Sequence, residues 1–404
     1  MMCERLVGSD RVHEDEPPRT GVGGRDTVSC NGGAACCGYV FALARPKRPD
    51  DQGDAMSRAL RVVQWATGNV GSHSLREIIR HPELELVGVL TYNPAKEGTD
   101  AGELCGADPT GVLATTDRAA IVALRADCVL YMPSSIELDD VEALLSAGTN
   151  VITTRGELTK GDPRLGPEGW ARVEKACEVG SASLYTTGSS PGFISDALPF
   201  ALISLQRHVE SVAINEYANM SQRDSPEMLF DLMGFGKPLE AFADGDASWM
   251  VHEFGVPLAT LAASAGRHVD AWTNRAEVAA AKEDLTIAAG QIPAGTVAAF
   301  RNSLVGLSDG HEVVSFTANW FCTTDLDPAW ELLATGWRVH VKGDAPMDVD
   351  IEFPVGLEEY ATVMPGLTGN RPVNAIPYVV EAPAGVLTTA DLPPIVPAGP
   401  VGSR

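Results

Sequence analysis

The stretch RVVQWATGNVG, Arg61 to Gly71, sets the reading of the whole chain. With Leu60 its first half forms a compact apolar run, LRVVQWA, of the kind that makes a parallel strand buried on both faces. Then comes Ala66-x-Gly68-x-x-Gly71, and the following SHSLREIIRHPE puts Leu75, Ile78 and Ile79 at helical spacing. Strand, glycine turn and helix in that order make the phosphate-binding end of a βαβ unit. In this fingerprint the first glycine permits the tight turn, the second lets backbone approach a pyrophosphate, and the third lets helix and strand pack closely. Alanine is the smallest departure at the first position, and the two sterically harder positions keep glycine. Peptide N–H groups at the start of the helix then face the pyrophosphate, backed by the positive end of the helix dipole. Ala66, Thr67, Gly68, Asn69, Val70 and Gly71 are therefore the expected cofactor-binding turn.

A second strand, LELVGVLTY (84–92), follows at the distance a βαβ unit requires. An NAD-preferring site carries Asp or Glu about 20 residues beyond the turn to bond the ribose hydroxyls. Here the strand ends Thr91-Tyr92-Asn93-Pro94, with Lys96 behind it and no carboxylate until Glu97. An uncharged strand end beside an ammonium tolerates a 2′-phosphate, so NADP is the preferred cofactor and NAD the alternative, with Asn93 and Lys96 among the binding residues. Further strands at DCVLYMP (127–133) and NVITT (150–154), separated by the helical LDDVEALLSAG, indicate a doubly wound parallel sheet. Ligands bind at the carboxyl ends of such strands. Met132, Pro133, Ser134, Thr153, Thr154 and Glu157 are thus expected where a nicotinamide ring would lie.

The chain has 404 residues, enough for two or three domains, and a formal net charge of -24. That charge opposes any wide basic surface and so argues against nucleic-acid or anionic-membrane partners. The most apolar segment, FISDALPFALISL, is interrupted by Asp196 and Pro199 and is too short to span a bilayer. The start lacks the apolar core of a signal peptide, so a cytoplasmic location is expected. The cysteines show no C-x-x-C spacing; free thiols and no metal site follow. Residues 1–55 carry glycine and proline pairs and no apolar periodicity, the composition of a disordered leader.

Residues 56–200 are read as the Rossmann domain and 201–368 as a second, substrate and dimerisation domain. In the latter ESVAINEYANM, GTVAAFRNSLVGL, HEVVSFTANWFC, WRVHVKG and MDVDIEF carry β-branched and aromatic enrichment with partial alternation, which predicts a mixed, largely antiparallel sheet. SPEMLFDLMGFG and PLATLAASAGRHVDAW read as helices or loops whose Met228, Phe230, Met233, Phe235 and Trp249 belong to the core more readily than to a ligand pocket. GNRPVNAIPYVVEAPAG predicts a helix over about 370–382, and residues 386–404 a mobile proline-rich tail.

Gly188-x-Ser190-x-Gly192 matches the nucleophile elbow of serine hydrolases. That chemistry needs the backbone N–H after the serine as an oxyanion donor, and the residue there is Pro191, which has none.

RVVQWATGNVG, GTDAGELCG (98–106), NVITTRGEL (150–158), TTGSSPGF (186–193) and RPVNAIP (371–377) resemble the dihydrodipicolinate reductase-like superfamily, over about residues 60–390. Within it the 2,4-diaminopentanoate dehydrogenase and native amine dehydrogenase branch is the most similar. The resemblance implies an NAD(P)-dependent oxidoreductase, commonly a homodimer, with the 370–382 helix returning to the cofactor domain and Asn374 near the active cleft. It also implies a small amine, ketone or imine as substrate. In that branch a segment like STCEEL supplies a glutamate that engages the amine or imine nitrogen. TTRGEL matches it here, with Glu157 on one acidic position and Gly156 in place of the other, so Glu157 is the expected catalytic carboxylate. The histidine-rich motif and catalytic lysine of true dihydrodipicolinate reductases have no counterpart, which leaves lysine-pathway reduction, and a cofactor-binding sensor without chemistry, as alternatives.

Overall fold

The protein is described by a computed structural model covering residues 58–397, all within one compact unit. The leader expected over 1–55 lies outside the described residues. Six strands build the first sheet in chain order: β1 (Leu60–Trp65), β2 (Leu84–Leu90), β3 (Ala114–Thr115), β4 (Cys128–Tyr131), β5 (Asn150–Thr153) and β6 (Ser183–Thr186). The intervening helices are α1 (Asn69–Arg80), α2 (Ala101–Cys105), α3 (Arg118–Ala123), α4 (Leu138–Ser146) and α5 (Gly166–Gly180). Every pairing is parallel, as crossover helices require. Strand alternation splits the apolar side chains between two layers. Val63, Val129, Val151 and Leu184, neighbours in register, pack against α4 and α5, while Val62, Leu130, Ile152 and Tyr185 face the other way.

The chain leaves this sheet through an irregular helical turn, Ser189–Ala197, and α6 (Leu198–Ile203). It then builds a second sheet from β7 (Val209–Asn219), β8 (Ala271–Ala281), β11 (Val297–Ser308), β12 (His311–Phe321), β13 (Leu326–Asp327), β14 (Gly336–Gly343) and β15 (Met347–Glu352), with β9 (Leu285–Ile287) and β10 (Gly290–Ile292) as a separate hairpin. The order is β13-β8-β11-β12-β7-β14-β15, antiparallel except for the parallel β12–β7 pair. One face is covered by α7 (Trp249–Ser264), whose Phe254 stacks on Phe316 at 3.9 Å between ring centres. A helix on one side of such a sheet is the expected α+β second domain.

Three expectations are corrected. Strand β8 lies partly inside the segment read as helix or loop, because Ala-rich AWTNRAEVAAA has weak intrinsic strand character and is held by its ten-residue register with β11. The returning helix, α8 (Leu357–Glu381), is 25 residues long, so it starts well before 370 and inside the span assigned to the second domain. It accommodates Pro365, Pro372 and Pro377, whereas proline inside a helix ordinarily marks an end. The tail expected to be mobile from 386 is structured as far as it is described. Strand β16 (Gly385–Leu387) extends the first sheet alongside β6, the turn Thr389–Asp391 is closed by a capping box on Thr388, and Leu392 and Ile395 pack on the core beside α8. Residues 398–404 lie outside the described residues.

Candidate active site

The turn after β1 is built as the fingerprint demands, with strain at its departure. Ala66 has φ of +75°, the left-handed region that favours glycine. Its amide donates to Leu90 O (2.9 Å), and its carbonyl accepts from the fully buried Gln64 side chain (2.9 Å). A Cβ on Gly71 would sit 2.3 Å from the Ala66 carbonyl oxygen, so the third glycine is a steric requirement. A Cβ on Gly68 would meet nothing within 4 Å, which leaves open space at the position where a pyrophosphate approaches. Helix α1 has no side-chain cap and no acidic residue in its first turn, so its leading N–H groups are free for an anion. The residues present therefore fit a dinucleotide.

Lys96 is half-buried and folds back on the turn, its ammonium donating to Thr67 O (2.9 Å) and Thr67 Oγ1 (3.2 Å). Asn93 is exposed, and its Oδ1 accepts from Ala95 N, capping the short turn Pro94–Lys96. Met132 is packed in the core with its sulfur 3.4 Å from Ser74 Oγ; Pro133 is buried beside it. Thr153 is fully buried, its Oγ1 accepting from Arg155 N, and Thr154 is half-buried at the same strand end.

A cavity of about 700 Å³ opens from this turn toward the second sheet. Its wall on the side of the first sheet is Asn69 and Val70 of α1 with Ser189 and Ser190. The opposite wall is Glu216, Tyr217 and Ala218 of β7 with Thr335 and Trp337, and α8 closes it with Tyr360, Met364 and Thr368. Thr368 Oγ1 lies 2.7 Å from Ser189 Oγ, tying α8 to the turn. Among the described residues Ser190 Oγ has no hydrogen-bond partner, and it is buried. Among the described residues no histidine or acid engages it, so there the elbow-like motif lacks the base that a nucleophilic serine needs. Glu216 sits where an apolar row gives out: Val212 and Ile214 pack in the core with α7, and the next residue on that face is a carboxylate. Its Oε1 accepts from Trp320 Nε1 (3.2 Å) and its Oε2 from Trp337 Nε1 (3.1 Å). Burial raises the Tyr360 phenol above its ordinary range, and the negative charge of Glu216 adds to that.

Two expected residues stand apart from these walls. Glu157 lies on the short turn Gly156–Leu158 after β5, with its carboxylate ion-paired to Arg155, and does not line the cavity. Gly156 leaves its side-chain space to Arg164 Nη2 and Glu253 Oε2, each 3.2 Å from a Cβ there. Asn374 is on α8 but outside the wall, whose α8 residues lie in the helix's first half, the part that sequence patterning assigned to another domain. Glu216, Trp337 and Tyr360 went unnoticed in the sequence. The available signal was Glu216 itself, a charge in the apolar phase of an alternating strand. Of the apolar residues weighed as core or pocket, Met228 lines the cavity, Phe235 is core, and Trp249 is part-exposed and stacked on Trp320.

Fold and turn together define a Rossmann-type oxidoreductase with a nicotinamide coenzyme and a mixed-sheet second domain. Residues 193–402, more than half of the chain, match the family model of the 2,4-diaminopentanoate dehydrogenase C-terminal domain, and the chain belongs to that family. It is 28% identical over 348 residues to an amine dehydrogenase of Streptomyces virginiae, covering 83% of this chain and 96% of that one. A 4-hydroxy-tetrahydrodipicolinate reductase of Synechocystis matches at 33% over 63 residues, 23% of its length. Among solved structures, an amine dehydrogenase from Mycobacterium smegmatis superposes with a TM-score of 0.65 at 19% identity, over 83% of this chain and 97% of that one, which shows the shared fold. Among the described residues no helix is long and apolar enough to cross a membrane, and no group of side chains has the makings of a metal site.

Proposed function

We propose that this chain is an NAD(P)-dependent oxidoreductase acting on a C–N or C=N carbon of a small amine or imine, with NADP(H) preferred. The observation that carries the reading is one continuous cavity running from the free amides of α1 to a carboxylate among aromatic rings. When bound, the nicotinamide supplies or receives the hydride. The chain's own residues do the rest: the 66–71 turn grips the diphosphate, and Met132, Pro133, Thr153 and Thr154 bound the ring's space. The aromatic walls exclude water and strengthen every charge interaction inside. Lys96 beside the turn, with no carboxylate at the β2 end, supports the 2′-phosphate.

Reduction of a dicarboxylate such as dihydrodipicolinate is disfavoured, since among the residues lining the cavity only Arg223 is cationic while Glu216 and Asp224 are anionic. The free, buried thiols of Cys105, Cys128, Cys177 and Cys322 suit a cytoplasmic setting, and a homodimer is the assembly to test by sedimentation.

Glu157, at the end of β5 and outside the cavity walls, is assigned the proton transfer to and from the reacting nitrogen, a role that requires its carboxylate to leave the ion pair with Arg155 and turn toward the ring. The test is NADPH consumption with a panel of ketones plus ammonium, alongside dihydrodipicolinate. Turnover with ketone and ammonium is expected; turnover of dihydrodipicolinate alone would reject the reading. Glu157→Gln is expected to bind NADPH normally and to lower kcat about a hundredfold, the usual loss when acid–base help is removed. An unchanged kcat would remove Glu157 from the mechanism.

A further inference from the structure

Resting on that reading, we propose that Glu216 is the substrate's counter-ion: it binds the cationic nitrogen of the amine or ammonium and makes the pocket select for it. Two indole N–H groups, one on each carboxylate oxygen, fix the side chain in place. Indoles are neutral donors, so they orient the carboxylate without cancelling its charge. Among the described residues no ion pair involves Glu216; Arg223, the cation in the same cavity, instead has its guanidinium 3.0 Å from Met228 sulfur. A half-buried carboxylate with two acceptor sites used has further lone pairs for a donor in the cavity. The surroundings, Trp337, Phe353 and Tyr360, are rings of the kind that also attract a cation through their faces. An uncompensated carboxylate in such a wall is costly unless a ligand completes the pair. A primary ammonium completes it, with three donors on one compact charge. The ligand class is therefore a primary amine on an apolar skeleton, with ammonium itself as the smallest member.

This role is distinct from that of Glu157, and different parameters read it. In Glu216→Gln, KM for both amine and ammonium is expected to rise at least about tenfold, the effect of removing one member of a desolvated charge pair. KM for the ketone and the affinity for NADPH should stay within about twofold. A general packing defect would raise all of them together, and unchanged KM for amine and ammonium would overturn the proposal while leaving the oxidoreductase reading intact. A measurement on the unaltered full chain is independent of how the variant folds: calorimetric titration with 2-aminopentane and with 2-pentanol in the presence of NADPH, the reduced coenzyme, with which an amine does not react. Binding of the amine at least about tenfold tighter than the alcohol is expected from the charge. Equal binding, or no binding of the amine, overturns the assignment. Absence of any C–N turnover by the wild type, with amine binding retained, would instead fault the proposed reaction.

Discussion

The nucleotide turn depends on two small residues for different reasons. Ala66 adopts a left-handed backbone conformation that costs an L-residue roughly 1–2 kcal/mol relative to glycine's freedom there. The buried Gln64 amide bonding to its carbonyl helps hold that conformation. Gly71 has no such latitude, because an added Cβ would lie 2.3 Å from backbone. Gly71→Ala is accordingly expected to lose about 1–3 kcal/mol of stability from overpacking. It should also weaken NADPH binding at least about tenfold by displacing the α1 amides, since a hydrogen bond to a charged group is worth about 1.5–3 kcal/mol. Urea melts and calorimetry check the two effects separately; NADPH binding at wild-type strength would show that the turn does not hold the coenzyme. This much was legible from residue type and spacing. Glu157 was legible as a strand-end acid, but its ion pair with Arg155 was not, since a salt bridge depends on rotamers that spacing does not set.

Among the elements, long strands with β-branched and aromatic residues declared themselves, and β8 did not. Its alanines are strand residues only because β11 lies on one side of them and β13 on the other. Helix α8 shows the converse. Three prolines argue for a break, yet the helix runs through them, packed on α1 where Gly369 leaves its Cβ space within 2.9 Å of Ser74 Oγ. Strand β16 follows directly from that docking. It covers the edge of β6 and buries Val386 and Leu387. Removing residues 385–404 is expected to cost at least about 3 kcal/mol, on the usual worth of burying two such side chains. It also exposes a sheet edge to association. Chemical denaturation and light scattering of the truncated protein measure these outcomes, and a truncated chain as stable as the full one would show that β16 is dispensable.

For the molecule as a whole, a polar network joins parts that are far apart in sequence. Asp196, in the turn leaving the first sheet, accepts from Thr389 near the C-terminal end (3.0 Å). Thr389 in turn meets Tyr185 of β6 (2.9 Å). Part of Asp196 meets solvent, but its carboxyl is enclosed by protein, and burial pushes its pKa from 3.8 up to about 6 despite Thr389 and the charge of Arg371 on α8. Between those values the native state binds more protons than the unfolded chain. This group's contribution therefore turns against the fold as pH rises from about 4 to 6 and stays unfavourable above that. Asp196→Asn should remove that dependence, so its melting temperature relative to wild type should rise between pH 4.5 and 7.5. The same offset at both pH values would show that the carboxyl does not titrate in this range.

The sequence by itself determined the glycine turn between β1 and α1, the parallel sheet and the presence of a second, largely antiparallel sheet, because glycine sterics and apolar periodicity act over a few residues and need no distant partner. Only the tertiary structure decided the cavity. Ser190, Glu216, Trp337 and Tyr360 become neighbours of Asn69 and Val70 when α8 docks on α1 and brings the second sheet's carboxylate opposite the turn after β1. Contacts between residues 100 or more positions apart leave no period in the chain, and a single acid in an apolar row acquires its meaning from the indoles and the empty space that the fold places around it.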